Sequence, residues 1–269
     1  MNLLSVRIET LADSRLDAFR SLKAQNAVRD ANLFVAEGPT VVERVLRSGF
    51  EVRSVLISDR KFASFESRLP NDVPVYRLGN ELAEELIGFS FHCGVLASVV
   101  RRTAPPVELW MPRTGPALVV AGDRITDPEN VGALVRIASA FGAAAVVFSL
   151  GSADPFSRRV LRVSMGNVLF LPVVETDDLP GYLSALNRDH GCSLVSTVLD
   201  PKATSLSRFQ FRPRTVLLFG NEYDGVSSAA QSIVSERLTI PMLNGTDSLN
   251  VAVSAGIFLH QFRTQWPPQ

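Results

Sequence analysis

From residue 117 onward the chain repeats one pattern. A short run of Val, Leu, Ile and Ala without polar alternation is followed by a segment with helical spacing. The runs are ALVVAGD, AAAVVFS, VLFLPVV, CSLVSTVL, TVLLFG and RLTIPM. Helical segments begin at Asn130, near DPFSRRVLRVSMG, and at DLPGYLSALNRDHG, GVSSAAQSIVSERL and SLNVAVSAGIFLHQF. Strands that lack a polar face must be covered on both sides, which a parallel sheet with crossover helices achieves. The pattern predicts a doubly wound α/β domain, whose ligands sit beyond the carboxyl ends of the strands.

A boundary precedes it. Residues 101–116, RRTAPPVELWMPRTGP, carry four prolines between two apolar runs. The reading is a domain over 1–104, a linker over 105–116 and a second domain over 117–269. The first domain alternates helix (DSRLDAFRSLKAQNAVRDA, TVVERVLRSG, NELAEELIG) with strand (LFVAE, VRSVLIS, VPVYRLG, GVLASVV), a small α/β sandwich. A length of 269 residues suits two such domains.

Charge and cysteine usage exclude several classes. Lys plus Arg and Asp plus Glu are each 27, so no large basic field coats nucleic acid; local patches such as Arg158, Arg159 and Arg162 remain candidates, with a solvated surface the favoured reading. Cys93 and Cys192 are too few for a disulfide framework or a zinc site, and His92, His190 and His260 show no metal spacing. The amino end lacks a signal-peptide pattern and no apolar run is long enough to span a bilayer. The expectation is a cytoplasmic protein with no membrane and no metal. G-x-G-x-x-G and G-x-x-x-x-G-K-[ST] are both absent, which argues against a pyrophosphate site.

Chemistry concentrates at three strand ends. After ALVVAGD comes TDPENVGALVR, where Arg136 is the only Asp, Glu, Lys or Arg between Val131 and Ser149. A helix so apolar is expected to be buried. A charge on it then either pairs with an acid inside the fold or reaches back, past Gly132 on the same face, toward the strand end. The residues leave both open. Asn130 is a candidate helix cap. After TVLLFG comes NEYDG, in which Glu222 is placed where Arg136 could find it and Asp224-Gly225 suggests an ordinary turn. After RLTIPM comes LNGTDSLN, with Asn244-Gly245 a turn signal, Ser248 or Asp247 a cap for the last helix, and Asn250 read as part of that well-capped core helix.

The same three strand ends resemble those of the SpoU (TrmH-like) RNA ribose 2′-O-methyltransferases of the SPOUT superfamily. NVGALVR carries Asn130, Gly132 and Arg136; LLFGNEYDGVS carries Gly220, Asn221 and Glu222; IPMLNGTDSLNVAVSAG carries Ile240, Pro241, Met242, Ser248, Leu249 and Asn250. SMGNVLFLPVV is also similar, and FVAEGPTVVERVLRSG through HCGVLASVV resembles the family's L30e-like substrate-binding domain. The resemblance implies a deep trefoil knot in the carboxy-terminal α/β domain, a homodimer with an active site drawn from both protomers, and S-adenosylmethionine as cofactor. Gly220, Ile240 and Leu249 would contact the cofactor, with Thr197 and Asn221 nearby.

The implied reaction is attack of a ribose 2′-oxygen on the donor methyl. Arg136 would be the central catalytic residue, gripping phosphate, orienting the ribose and stabilising a developing alkoxide. Acting as a base would require special help, because arginine stays protonated. Asn130 would orient Arg136 or the ribose, Glu222 would hold Arg136 or its neighbours, and Ser248 and Asn250 would shape the site. The L30e-like domain favours ribosomal RNA over transfer RNA. The competing readings are a transfer RNA 2′-O-methyltransferase, a SPOUT enzyme acting on a base, a non-catalytic RNA-binding SPOUT protein and a small-molecule α/β enzyme.

Overall fold

A computed structural model of the chain describes residues 5–20, 22 and 32–267. Two compact units emerge: the chain up to Thr103 together with Phe156–Phe170, and Ala104–Pro155 together with Leu171 onward.

The first unit contains strands β1 (Ser5–Arg7), β2 (Leu33–Glu37), β3 (Val52–Ser58), β4 (Val75–Leu78) and β5 (Val95–Val100). They form one sheet in the order β1-β4-β3-β5-β2. Pairing is parallel for β1 with β4 and β4 with β3, and antiparallel for β3 with β5 and β5 with β2. Helices α1 (Pro39–Arg47), α2 (Asp59–Phe65) and α3 (Asn80–Ile87) connect the strands. The short α2 and β1 have too little periodicity to be read from sequence. Of the helix expected over 13–31, a 3-10 turn at Ser14–Phe19 is described, and most of the remainder lies outside the described residues.

The excursion Phe156–Phe170 carries α5 (Arg158–Val163), which packs on β2. Phe156 sits against Phe34 and Phe50 with ring centroids 5.2 and 6.0 Å away. Arg158 lies over the Phe89 ring at 4.5 Å and pairs with Glu37 at 3.0 Å, both side chains being mostly buried. That corrects the reading of Arg158 as a solvated surface charge: its guanidinium is already spent inside this unit.

The second unit is a seven-stranded sheet in which every pairing is parallel. Its strands are β6 (Ala117–Asp123), β7 (Ala145–Ser149), β8 (Val173–Thr176), β9 (Ser193–Thr197), β10 (Thr204–Ser205), β11 (Arg214–Gly220) and β12 (Glu236–Thr239). The order is β10-β12-β9-β11-β6-β7-β8. All of β6 is buried, as its unbroken apolar run requires. Helices α4 (Pro128–Ala140), α6 (Leu179–His190), α7 (Ser228–Gln231) and α8 (Val251–Gln265) accompany the sheet.

Two elements are shorter than the sequence suggests. In VLFLPVV a 3-10 turn at Asn167–Leu169 precedes Pro172, and only Val173–Thr176 is strand; proline has no N–H for the ladder. In GVSSAAQSIVSERL the helix stops at Gln231, because Ile233 and Val234 turn in to pack on the core. Both cysteines are free.

Candidate functional site

Strands β12, β9 and β11 are parallel neighbours, so their carboxyl ends meet on one edge of the second unit. A cleft of about 480 Å³ opens there, lined among others by Thr197, Gly220, Asn221, Glu222, Ile240, Ser248, Leu249 and Asn250. The volume suits a cofactor-sized ligand. Its walls are the turn after β11, the stretch after β12 and the start of α8.

The turn after β11 is tightly built. Asn221 and Gly225 exchange backbone hydrogen bonds of 3.0 and 2.9 Å, and Gly225 has a left-handed φ of 67°. Asn221 Oδ1 accepts from the N–H of Tyr223 at 2.8 Å and of Asp224 at 3.3 Å, while Nδ2 donates to the Arg124 carbonyl at 2.7 Å. The Asn221 side chain is thus consumed in building the wall. The turn folds back onto β11 so closely that a Cβ on Gly220 would lie 2.1 Å from Gly225 C and Val226 N. Only glycine fits there.

Asn130 is buried in the first turn of α4, behind this wall. Its Nδ2 donates to Glu222 Oε1 at 2.5 Å, and its Oδ1 accepts from Asn250 Nδ2 at 2.9 Å. The carboxylate can only accept, so it fixes which way round the Asn130 amide stands. Asn250 in turn caps α8 through Oδ1, accepting from the N–H groups of Ala252 and Val253. All three strand ends are therefore stitched together by one chain of side chains.

At their other ends α4 and α8 are also joined. Arg263 donates from Nε to the Phe141 carbonyl and from Nη2 to the Gly142 carbonyl, both at 2.6 Å. A cation at a helix carboxyl end complements the helix dipole, and burial lowers the pKa of Arg263 from its ordinary value. Nothing in the residue pattern singles out Arg263.

Several sequence expectations are corrected. The side chain of Arg136 is exposed and forms no hydrogen bond or ion pair among the described residues. It sits on a solvent-facing stripe of α4 with Glu129 and Ala140, because packing against β6, β7 and α8 occupies the other faces. The internal ion pair is not formed, and Glu222 holds Asn130 instead. The cap of α4 is Asp127, which accepts from the Glu129 N–H, rather than Asn130; the cap of α8 is Asn250, rather than Ser248 or Asp247. Ser248 is exposed on the cleft. Asn244 and Gly245 form the expected turn, with φ of 56° and 72°.

Besides Arg263, two more residues give no signal in the sequence. Asp123, at the end of β6, is 4% exposed and accepts from the Ser227 N–H at 2.7 Å. Arg124 follows with a left-handed φ of 53°, its N–H held by Ser149 Oγ and its carbonyl by Asn221. A charged Asp-Arg pair at a strand end gives no signal of such a role by itself.

The Asn250 contacts carry a prediction. Asn250→Ala removes a cap and the Asn130 partner, and is expected to destabilise the protein by about 1–2 kcal/mol. Asn250→Asp keeps the cap acceptor and loses only the donor to Asn130, so it should destabilise less than Asn250→Ala. Urea unfolding measures both; an Asn250→Ala protein as stable as the parent would refute the capping account.

A parallel α/β sheet with a ligand cleft at its strand ends is the arrangement of α/β enzymes that bind a small molecule at that edge. Comparison with known proteins narrows the class. Residues 117–260 match the model of the SpoU rRNA Methylase family. An uncharacterised tRNA/rRNA methyltransferase of Mycobacterium tuberculosis is 35% identical over 257 residues, covering 93% of this chain and 88% of the relative. The 23S rRNA (guanosine(2553)-2′-O)-methyltransferase RlmP of Bacillus subtilis is 29% identical, covering 96% and 99%. The fold matches the AdoMet-bound rRNA methyltransferase of Sinorhizobium meliloti with a TM-score of 0.83 at 22% identity, covering 97% and 98%. The chain belongs to the SpoU rRNA methylase family.

Proposed function

We propose that the protein is an S-adenosylmethionine-dependent RNA 2′-O-ribose methyltransferase acting on ribosomal RNA. The observation that carries this is a cleft walled by the segments after β11 and β12, with Asn130 of the third strand end tied behind it to Glu222 and Asn250. Family membership supports the reaction class, and the named activity of the Bacillus subtilis relative supports ribosomal over transfer RNA.

The cleft fits the cofactor in size, and its walls offer backbone groups where Gly220 excludes any side chain. Gly220, Ile240 and Leu249 would hold it, with Thr197 and the backbone of Asn221 beside them. Bound there, it supplies an electrophilic methyl group. The Thr197 hydroxyl donates to the Leu218 carbonyl at 3.2 Å, which leaves its oxygen lone pairs for a ligand donor. Glu222 and Asn250 set the amide of Asn130, and Ser248 stands exposed on the same cleft. Arg136, exposed and unpartnered, is the cation available to an RNA phosphate and a developing alkoxide.

The first unit is the substrate-binding, L30e-like domain in this reading, and the knot would thread the segment from β12 through α8. A second copy of the chain would cover the outward face of α8, where Val253 and Ile257, one turn apart, are 53% and 40% exposed. The test is transfer of labelled methyl from the donor to purified ribosomal and transfer RNA, followed by nuclease digestion and mass spectrometry. The expected product is a 2′-O-methylated nucleoside from ribosomal RNA; a methylated base, or no product from any RNA, refutes the proposal.

A further inference from the structure

Tyr223 is 92% exposed, the most exposed large side chain of its kind on the surface of the described residues, yet it stands on the most heavily braced turn of the site. Its N–H is held by Asn221 Oδ1, and the turn closes through the Asn221–Gly225 exchange. From beneath, Gly220 permits close backbone contact, and from the side the Arg124 carbonyl holds Asn221. Arg124 keeps an unusual backbone, φ 53°, to do so. Such a conformation persists only where the surroundings over-determine it, and clusters at functional positions. The turn therefore holds the backbone of Tyr223 at a fixed place on the rim of the cleft, next to Glu222, with the ring standing out into solvent.

The chemistry around the ring selects its partner. Glu222 and Asp224 flank it, and Arg124 lies 3.7 Å from Asp224, partly neutralising that acid. Two carboxylates repel a phosphodiester, so this spot is unsuited to the RNA backbone. A neutral aromatic face is suited to the π-face of an unpaired base, and sequence-tolerant stacking of this kind is how aromatic side chains hold single-stranded nucleic acid. We propose that Tyr223 is a stacking platform for an unpaired nucleobase of the RNA, at or beside the nucleotide that receives the methyl group. Arg124 is the positioning residue that fixes the turn. The inference rests on the methyltransferase reading of the cleft.

The experiment compares the wild-type protein with Tyr223→Ala, Tyr223→Phe and Tyr223→Trp. Donor binding is followed by calorimetry, methyl transfer by steady-state kinetics, and oligomeric state by sedimentation. If the wild-type protein binds the donor and methylates RNA, the underlying reading stands independently of the variants. Tyr223→Ala is then expected to raise KM for RNA about 10- to 100-fold. Donor affinity and oligomeric state stay as in the wild type, and Phe and Trp restore KM. An unchanged KM for RNA, a loss of donor affinity, a dissociated oligomer, or a failure of Phe and Trp to rescue would each overturn the platform.

Discussion

Arg136→Ala is expected to reduce methyl transfer by at least about 10²-fold, the loss seen when one preorganised donor to a developing oxyanion is removed. The folded protein should be almost unaffected. Arg136 is exposed and holds nothing in place, and substitutions at such positions change stability by about 0.5 kcal/mol or less. Donor binding should also persist, because Arg136 is not among the residues that line the cleft. Kinetics, thermal unfolding and calorimetry on one preparation check all three. Near-normal transfer would remove Arg136 from the mechanism. Arg136→Lys separates charge from shape: a lysine keeps the positive charge but loses the planar fork that grips a phosphate with two bonds, so little activity should return.

Gly220→Ala is expected to abolish donor binding. The added methyl would lie 2.1 Å from two backbone atoms of the turn that walls the cleft, and neither is the far end of a flexible side chain. Relief requires the turn to lift off β11, breaking the Asn221–Gly225 exchange and moving Glu222 away from Asn130. Overpacking of this kind costs about 1–3 kcal/mol. The protein should remain folded with a lower Tm, and calorimetry should show no donor binding. Wild-type affinity in Gly220→Ala would mean that the turn is free to move and does not form the wall described.

The strands of the second unit were legible because each is an apolar run with nothing to hide on either face, and a parallel sheet is the place for such runs. The convergence of NVGALVR, GNEYDG and LNGTDSLN was legible from their positions after strands. What each polar residue holds was not. Asn130, Glu222 and Asn250 lie about 90 and 120 positions apart along the chain, and no local pattern states that an amide will stand between a carboxylate and a second amide. The environment of Arg136 was misjudged for a related reason. A helix with alanine on its outward stripe looks apolar all round, although small residues are tolerated in water as well as in a core. Asp123, Arg124 and Arg263 gave no signal, since their roles depend on backbone groups brought close only by folding.

Helix α8 is fastened to α4 at both ends, by Asn250 to Asn130 and by Arg263 to Phe141 and Gly142. During synthesis α4 emerges from the ribosome long before its partner exists. Translation at about 5–20 residues per second leaves the amide of Asn130 without its second neighbour for several seconds or more. In that interval the nascent chain has a sheet edge but no assembled site. A message truncated before α8 therefore yields a chain without the Asn130–Asn250 link and without one wall of the cleft.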